Sequence, residues 1–351
     1  MTEFAAVRDE QQAQTRLALG ALLLPVFFAA MFALCIIGAY HAPHPNNIKV
    51  GVVGPAALTG SLRAGLEKAG GSAFDIRQVA TVAEATHDVR RRDLDAAYVP
   101  TAIPKQPATV IVASGAGRLV AKASEDFVRG ASAAQAAQLA VRDVRPLAAG
   151  DAIGLGVFMF MIVCTIAGYL GVTVLETVAP DLAPSRRYPM IVGMGVLLPT
   201  IVYLIGGLGF GVYPGSVGTV LAFIGVGALY TVVVGLVTRL LQALMGPLSL
   251  FVSFTVLIFL NIASLGATYT ETMLPGFWRF FNHVWIGAST VDIERSILYF
   301  GGQGVGTDLL RFFAWTAVAG ALLLLPLSRK FGRQREHAGD AIAATSARAA
   351  V

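Results

Sequence analysis

Six stretches of this chain are each about as long and apolar as a bilayer is thick, and that constrains the fold more than any other feature. They run from Leu17 to Tyr40, Ile153 to Val178, Met190 to Gly209, Val217 to Val237, Leu248 to Ala267 and Leu309 to Leu327. A helix rising 1.5 Å per residue needs roughly 20 apolar residues to cross about 30 Å of hydrocarbon. Composition points the same way: the 351 residues are 56% hydrophobic and only 13% charged, against about a quarter charged in soluble domains. The pattern predicts an α-helical polytopic membrane protein with six spans arranged as one plus five. A small extracytoplasmic α/β domain is inserted after the first span.

The basic residues set the expected orientation. Arg8 and Arg16 precede the first run, Arg186 and Arg187 lie between the second and third, and Arg239 follows the fourth. Arg329, Lys330, Arg333 and Arg335 follow the sixth. Short loops rich in Lys and Arg stay in the cytoplasm, whereas long domains translocate regardless of charge. The expected layout is a cytoplasmic N-terminus (1–16), a first transmembrane helix (17–40) read as an uncleaved anchor, and an outside domain (41–150). A five-span membrane domain (151–328) with an outside hairpin (268–308) and a basic cytoplasmic tail (329–351) complete it. The expected location is the cell membrane. Both cysteines, Cys35 and Cys164, fall inside spans, so no disulfide framework is expected outside. The basicity is accounted for by topology, and nucleic-acid binding is not expected.

Within 41–150, IKVGVVG (48–54) reads as a buried strand and 58–71 as a helix closed by two glycines. AFDIRQVA (73–80) alternates like a second strand. Residues 81–95 form a helix with Thr81 as its cap and Glu84 at the capping-box position. Strands are expected at 96–100 and 108–115, in a parallel or mixed sheet. The Ala/Gln-rich stretch Lys122 to Arg145 reads as a helical stalk. Arg90, Arg91 and Arg92, among Asp88, Asp93 and Asp95, read as a solvated face.

In the membrane domain, Asn261 is a polar side chain deep in an apolar run, and it needs a protein or water partner. It serves either as glue between helices or as part of a transport path. Glu176, near the inner end of the second span, either reaches the interface or pairs with Arg186 or Arg187. Closely spaced glycines on the third and fourth spans allow tight helix packing. The segment GFWRFFNHVWIGA (276–288) places Phe277, Phe281, Val284 and Ala288 at helical spacing, with Arg279, Asn282 and His283 elsewhere. Trp278 and Trp285 suit headgroup level. The stretch is expected to form a re-entrant or interfacial cap against the bundle, beginning after Pro275, with a second short helix through 289–300. Simple anchoring and the exit of an amphipathic substrate account for it equally well. No metal-ligand spacing, nucleophile–base set or Walker motif is present, so no metal, cofactor or enzymatic activity is expected.

TVAEATHDVRRRDLDAAYVP (81–100) resembles a segment in the outside domain of type-2 ABC exporter permeases. NIASLGATYTETMLPGFWRFFNHVWIGASTVDIERSILYFGG (261–302) resembles their fifth span and the outside helical hairpin after it. The matching positions are Gly266, Glu271 with Pro275, and Arg295. The likeness is strongest to the YhgE/Pip (phage infection protein) branch, which shares the one-plus-five plan. The resemblance implies a permease subunit exporting a hydrophobic or amphipathic molecule as a homodimer or paired permease, powered by a separate ATPase. Arg186 and Arg187 would then lie in the coupling loop, although APDLAPSRRYP (179–189) is shorter and richer in proline than the family's charged coupling helix. The rival expectation is a non-transporting envelope receptor or scaffold, related to secretion or to phage.

Overall fold

The computed structural model describes residues 2–101, 106–134, 138–266 and 270–324. The expected basic tail (329–351) and the last residues of the sixth apolar run lie outside the described residues.

The chain enters through α1 (Thr2–Phe32), which continues to Tyr40 through a wider π-turn at Ala33–Ile37. The sheet domain follows: β1 (Ile48–Val53), α2 (Ala56–Gly70), β2 (Phe74–Val79), α3 (Val82–Arg91), β3 (Ala96–Val99), β4 (Ala108–Val112), α4 (Arg118–Ala134) and β5 (Leu139–Asp143). The strand order is β2-β1-β3-β4-β5, with every neighbour parallel except β3 against β4. The start of α3 is fixed as its sequence suggests. Thr81 Oγ1 accepts from the Glu84 amide at 3.1 Å, and the Glu84 carboxylate reaches back to the Ala80 amide at 3.1 Å.

The expected helical stalk over 122–145 is not formed. Instead α4 lies on the sheet, burying Val120, Ala121 and Val128, and the chain then adds β5 parallel to β4. The physical reason is the edge of β4: a strand buried on both faces cannot leave its outer amides and carbonyls bare, and LAVRD covers them.

The sheet buries two different faces. Ile48, Val50, Val52, Ile76 and Tyr98 pack under α2 and α4. Val53, Val79, Ala97 and Ile111 pack under α3 and, unexpectedly, under Tyr299 and Phe300 from far along the chain. Gly51 belongs to this second face, where a Cβ would stand 2.8 Å from both Leu94 and Val79.

The helical part holds α5 (Gly156–Val178), α6 (Pro184–Tyr203, extended to Gly209 by a second π-turn), α7 (Val217–Met245) and α8 (Ser249–Ser264, with a third π-turn at Phe254–Leu260). Then come α9 (Gly276–Val284), α10 (Ile286–Phe300) and α11 (Gly306–Leu324). Among the described residues, four helices are long and apolar enough to cross a membrane: Ala18–Tyr40, Gly156–Val178, Pro184–Gly209 and Val217–Met245. The fifth apolar run forms a shorter helix, and Gly306–Leu324 covers most of the sixth. The architecture is that of a mostly helical protein with a small mixed sheet, compatible with a multi-pass membrane protein.

Glycines set the spacing of α5, α6 and α7. A Cβ on Gly168 of α5 would lie 2.6 Å from the Thr231 carbonyl oxygen of α7, and one on Gly195 of α6 would strike Val232. Because the obstacle at Gly168 is backbone, a side chain there must push the helices apart. Gly168→Leu is expected to cost about 1–3 kcal/mol, read as a lowered thermal midpoint of the full chain in detergent.

Candidate functional site

The central feature is a helical hairpin that enters the bundle from the sheet side and returns to it. α9 descends from Pro275, which precedes its first turn. The chain reverses at Val284–Trp285–Ile286, and α10 climbs back to the sheet. The tip is deep. Trp285 Nε1 donates to the Val256 carbonyl in the π-turn of α8 at 3.0 Å, and Trp315 Nε1 of α11 donates to the Val284 carbonyl at 2.9 Å. From Gly306 to Trp315 is nine residues, about 13 Å of helix below the sheet end of the bundle.

The orientation of α9 differs from the expected one. Trp278 and Asn282 face the bundle, while Phe277 and Phe280 are 60% and 64% exposed. Asn282 Nδ2 donates to the Ser264 carbonyl at 2.8 Å, and Trp278 packs beside Gly38 of α1. Asn282 turns inward because a hydrogen-bond acceptor waits there, while His283 and the two phenylalanines face outward. Trp285 stands at the turn of the hairpin. Phe281 is half-buried, with its ring 5.6 Å from that of Trp285.

Asn261 lies in a fully buried polar chain. Its Nδ2 donates to the Tyr230 hydroxyl of α7 at 2.7 Å, and Tyr230 lies 2.7 Å from Thr165 Oγ1 of α5. Thr165 donates onward to the Met161 carbonyl at 2.7 Å, so the Tyr230 hydrogen goes to Thr165 and the direction of the chain is fixed. Asn261 Oδ1 has no partner among the described residues. It presses on Gly287 of α10, where any Cβ would collide with it.

Further along α10, Glu294 is fully buried with no hydrogen-bond partner at either oxygen. Asp292 and Arg295 face the sheet side. Arg92 leaves the end of α3 in a left-handed conformation (φ 68°) and donates to Asp292 Oδ1 at 2.7 Å, with its guanidinium 5.7 Å from the Phe300 ring centre. Arg295 is buried, 3.3 Å from Asp292, and reaches towards the Gly266 carbonyl. Arg311 of α11 donates to Ser289 at 3.1 Å. Burial works against the charge of Asp292, yet Arg92 and Arg295 outweigh it and hold the carboxyl below its ordinary value. Burial likewise opposes the Arg92 charge, and Asp292, Asp308 and Asp95 more than restore it.

At the opposite end of the bundle, Glu176 pairs with Arg187 at 3.3 Å and Arg239 at 2.9 Å. Arg187 is buried and also donates to the Pro180 carbonyl, while Arg239 bonds the Tyr188 hydroxyl. Arg186 is exposed. Beside this cluster, α5, α6 and α7 enclose an apolar groove of about 350 Å³, lined by Gly168, Gly171, Leu175, Met190, Met194 and Leu198 among others. Glu271 stands apart from both clusters, exposed and 3.2 Å from His283.

The structure therefore brings Asn261 into a network that includes Tyr230 and Thr165, and it gathers Glu176 with Arg187. Arg295 joins a junction containing Arg92, which the sequence reading assigned to a solvated face. Arg90 and Arg91 do stay exposed. Glu294 and Asp292 escaped the sequence reading. A signal for Glu294 was present, because Gly287, Val291, Glu294 and Leu298 fall on one helical stripe of otherwise small or apolar residues. No family model matches the chain, and neither a curated protein nor a solved structure is significantly similar to it.

The junction makes a definite prediction. The Arg92 and Asp292 side chains are 20% and 27% exposed, so breaking the pair should cost about 2 kcal/mol, below the value for a fully buried pair. Asp292→Asn is expected to speed hydrogen exchange in 92–95 and 289–296 at neutral pH. A carboxyl held below its ordinary value stabilises above that value and stops doing so as pH falls through the depressed one. The unsubstituted protein should therefore keep this junction down to about pH 4 and loosen it only below.

Proposed function

We propose that this chain is the six-span permease subunit of an ABC-2-type exporter in the cell membrane, moving a hydrophobic or amphipathic molecule outward with energy from a separate ATPase. The observation that carries the reading is the α9–α10 hairpin. It places non-spanning backbone deep in an apolar bundle, which is tolerated only against protein or a lined path. The segment is also the one whose residues, Gly266 to Arg295, resemble that family.

In this reading the end of the bundle bearing Arg186, Arg187 and Arg239 is cytoplasmic, in line with the bias of short basic loops, and the sheet domain is outside. The groove between α5, α6 and α7 opens near Val178 and Ala179, beside the Glu176–Arg187–Arg239 cluster. An apolar slot next to a charged rim suits a molecule with an apolar chain and a polar end, and its volume lies at the lower end of ordinary ligand sites. Asn261 and the hairpin stand between the groove and the sheet side. Two copies would pair through exposed apolar helix faces, and the ATPase would meet 179–183 and Arg186.

One observation favours the alternative of a non-transporting envelope receptor or scaffold. The 179–183 connection is tied down through Arg187 to the carbonyls of Ala179 and Pro180, so it is a short fixed loop and not a charged coupling helix.

Mild-detergent purification of the full chain from its own membrane, with mass spectrometry of co-eluting proteins, separates the two. A stoichiometric subunit carrying Walker motifs supports the permease. Envelope or secretion components without an ATPase support the scaffold. A groove variant then tests the path: a Cβ on Gly171 meets only Met194 Cε, at 3.7 Å, so Gly171→Leu should accumulate normally and project into the slot. Export is expected to be largely lost at unchanged protein level, and unimpaired export would remove the groove from the path.

A further inference from the structure

Glu294 is the one carboxyl in the described bundle that is fully buried with both oxygens unpartnered. It sits on α10 facing α7, where Oε1 comes up against the backbone of Gly227, and a Cβ on that glycine would also strike the Phe160 ring of α5. A carboxylate so enclosed, with no cation beside it and only the backbone of Gly227 close to it, is costly to ionise, and the group holds its proton instead.

The surroundings supply no counter-charge. The titratable groups facing it are Cys164 of α5 and Tyr213 of the α6–α7 connection, neither of which is a cation. α7 presents Gly227 and, one turn on, Tyr230, whose hydroxyl is used by Asn261 and Thr165. On α11, Arg311 is engaged with Ser289 and Asp308. On α9, Arg279 holds Asn46 and the Leu274 carbonyl, while His283 meets Glu271. On α10 itself, Asp292 and Arg295 belong to the Arg92 junction, and α8 brings Asn261. A metal ion such as calcium would need about six to eight oxygens, and among the described residues no group of three His, Cys, Asp or Glu is gathered. A proton needs no such room.

We propose that Glu294 is a proton-binding site of the bundle, and that its ionisation and the separation of α10 from α7 are one linked step. The carboxyl keeps its proton while the hairpin is seated. Once α10 moves away and water reaches the group, the proton leaves, and the hairpin cannot reseat until one returns. This makes the hairpin responsive to pH on the side from which water enters, whether or not the chain transports anything.

Dicyclohexylcarbodiimide, a lipophilic reagent that attacks protonated carboxyls, tests the first half on the full chain in detergent micelles. Peptide mass spectrometry should find the N-acylurea adduct at Glu294 at pH 6, well above the level at Glu176, and its rate should fall as pH rises. Absence of the adduct, or labelling no greater than at Glu176, overturns the site. Hydrogen exchange tests the second half. After correction for base catalysis, opening of α10 should rise by about tenfold per pH unit above the ordinary carboxyl value, where the opened group has lost its proton and the seated one still holds it, and Glu294→Gln should abolish that slope. An equal slope in the variant, or none in the unsubstituted protein, overturns the linkage. If Glu294→Gln fails to accumulate, the adduct and the slope of the unsubstituted protein decide alone.

Discussion

The structure depends on one helix serving two cores. α10 is 15 residues long, about 22 Å, and its ends lie in different hydrophobic environments. Tyr299 and Phe300 complete the second face of the sheet, which α3 alone would leave partly open. Gly287 and Val291 at the other end belong to the helical bundle, with Asn261 fitted against Gly287. A helix is stiff over this distance, so a shift of the sheet domain is carried to the hairpin tip. The Arg92–Asp292–Arg295 junction halfway along keeps the two parts in register. A buried ion pair of this sort adds little over an apolar contact, but losing one partner is expensive. It therefore specifies orientation more than it stabilises.

The remaining helices divide accordingly. α5, α6 and α7 form a block: glycine seams bring their backbones close, and Glu176 with Arg187 and Arg239 ties their ends at the side away from the sheet. The hairpin rests on that block chiefly through Glu294, Gly227 and Phe160, and on α8 through Asn261 and Asn282. Around them Trp278, Ile286, Val291 and Ile293 of the hairpin share one buried core with Phe160, Phe223 and Tyr230.

Much of this was legible in the sequence, and the parts that were not share a cause. Local rules found the strands, the Thr81–Glu84 cap, the long apolar helices and the interrupted segment after the fifth run, because each is written in consecutive residues. LAVRD carries no strand alternation and sits in a stretch of helical composition, and the need to cover the β4 edge decided otherwise. Arg92 was read with its neighbours as solvated, but the left-handed turn ending α3 directs it to a partner 200 residues away, which no local pattern reveals. The apolar periodicity in α9 pointed to the wrong face, since it assumes that hydrophobic side chains turn inward. Here the hydrogen bond of Asn282 carries that information instead. The same assumption hid Glu294, a charged residue in an apolar stripe.

Two tryptophans meet at the hairpin reversal, Trp285 within it and Trp315 facing it from α11, and both have a physical account. A chain that turns back inside an apolar bundle exposes backbone groups that no water can satisfy. α9 ends at Val284, whose carbonyl is among the last of its helix and lacks an onward partner. Trp315 supplies it. Opposite, Val256 lies in the π-turn of α8, and Trp285 donates to its carbonyl. The two indole rings then meet each other, with centres 5.7 Å apart, and seal the turn. Indole is suited to this because it joins a large apolar surface to a single donor at its rim. Phenylalanine at either position would fill the volume and leave a carbonyl bare. The aromatic richness of the segment thus follows from its reversal at depth: the rings make the turn possible, and the turn places Asn261, Gly287 and Glu294 where the two halves of the bundle meet.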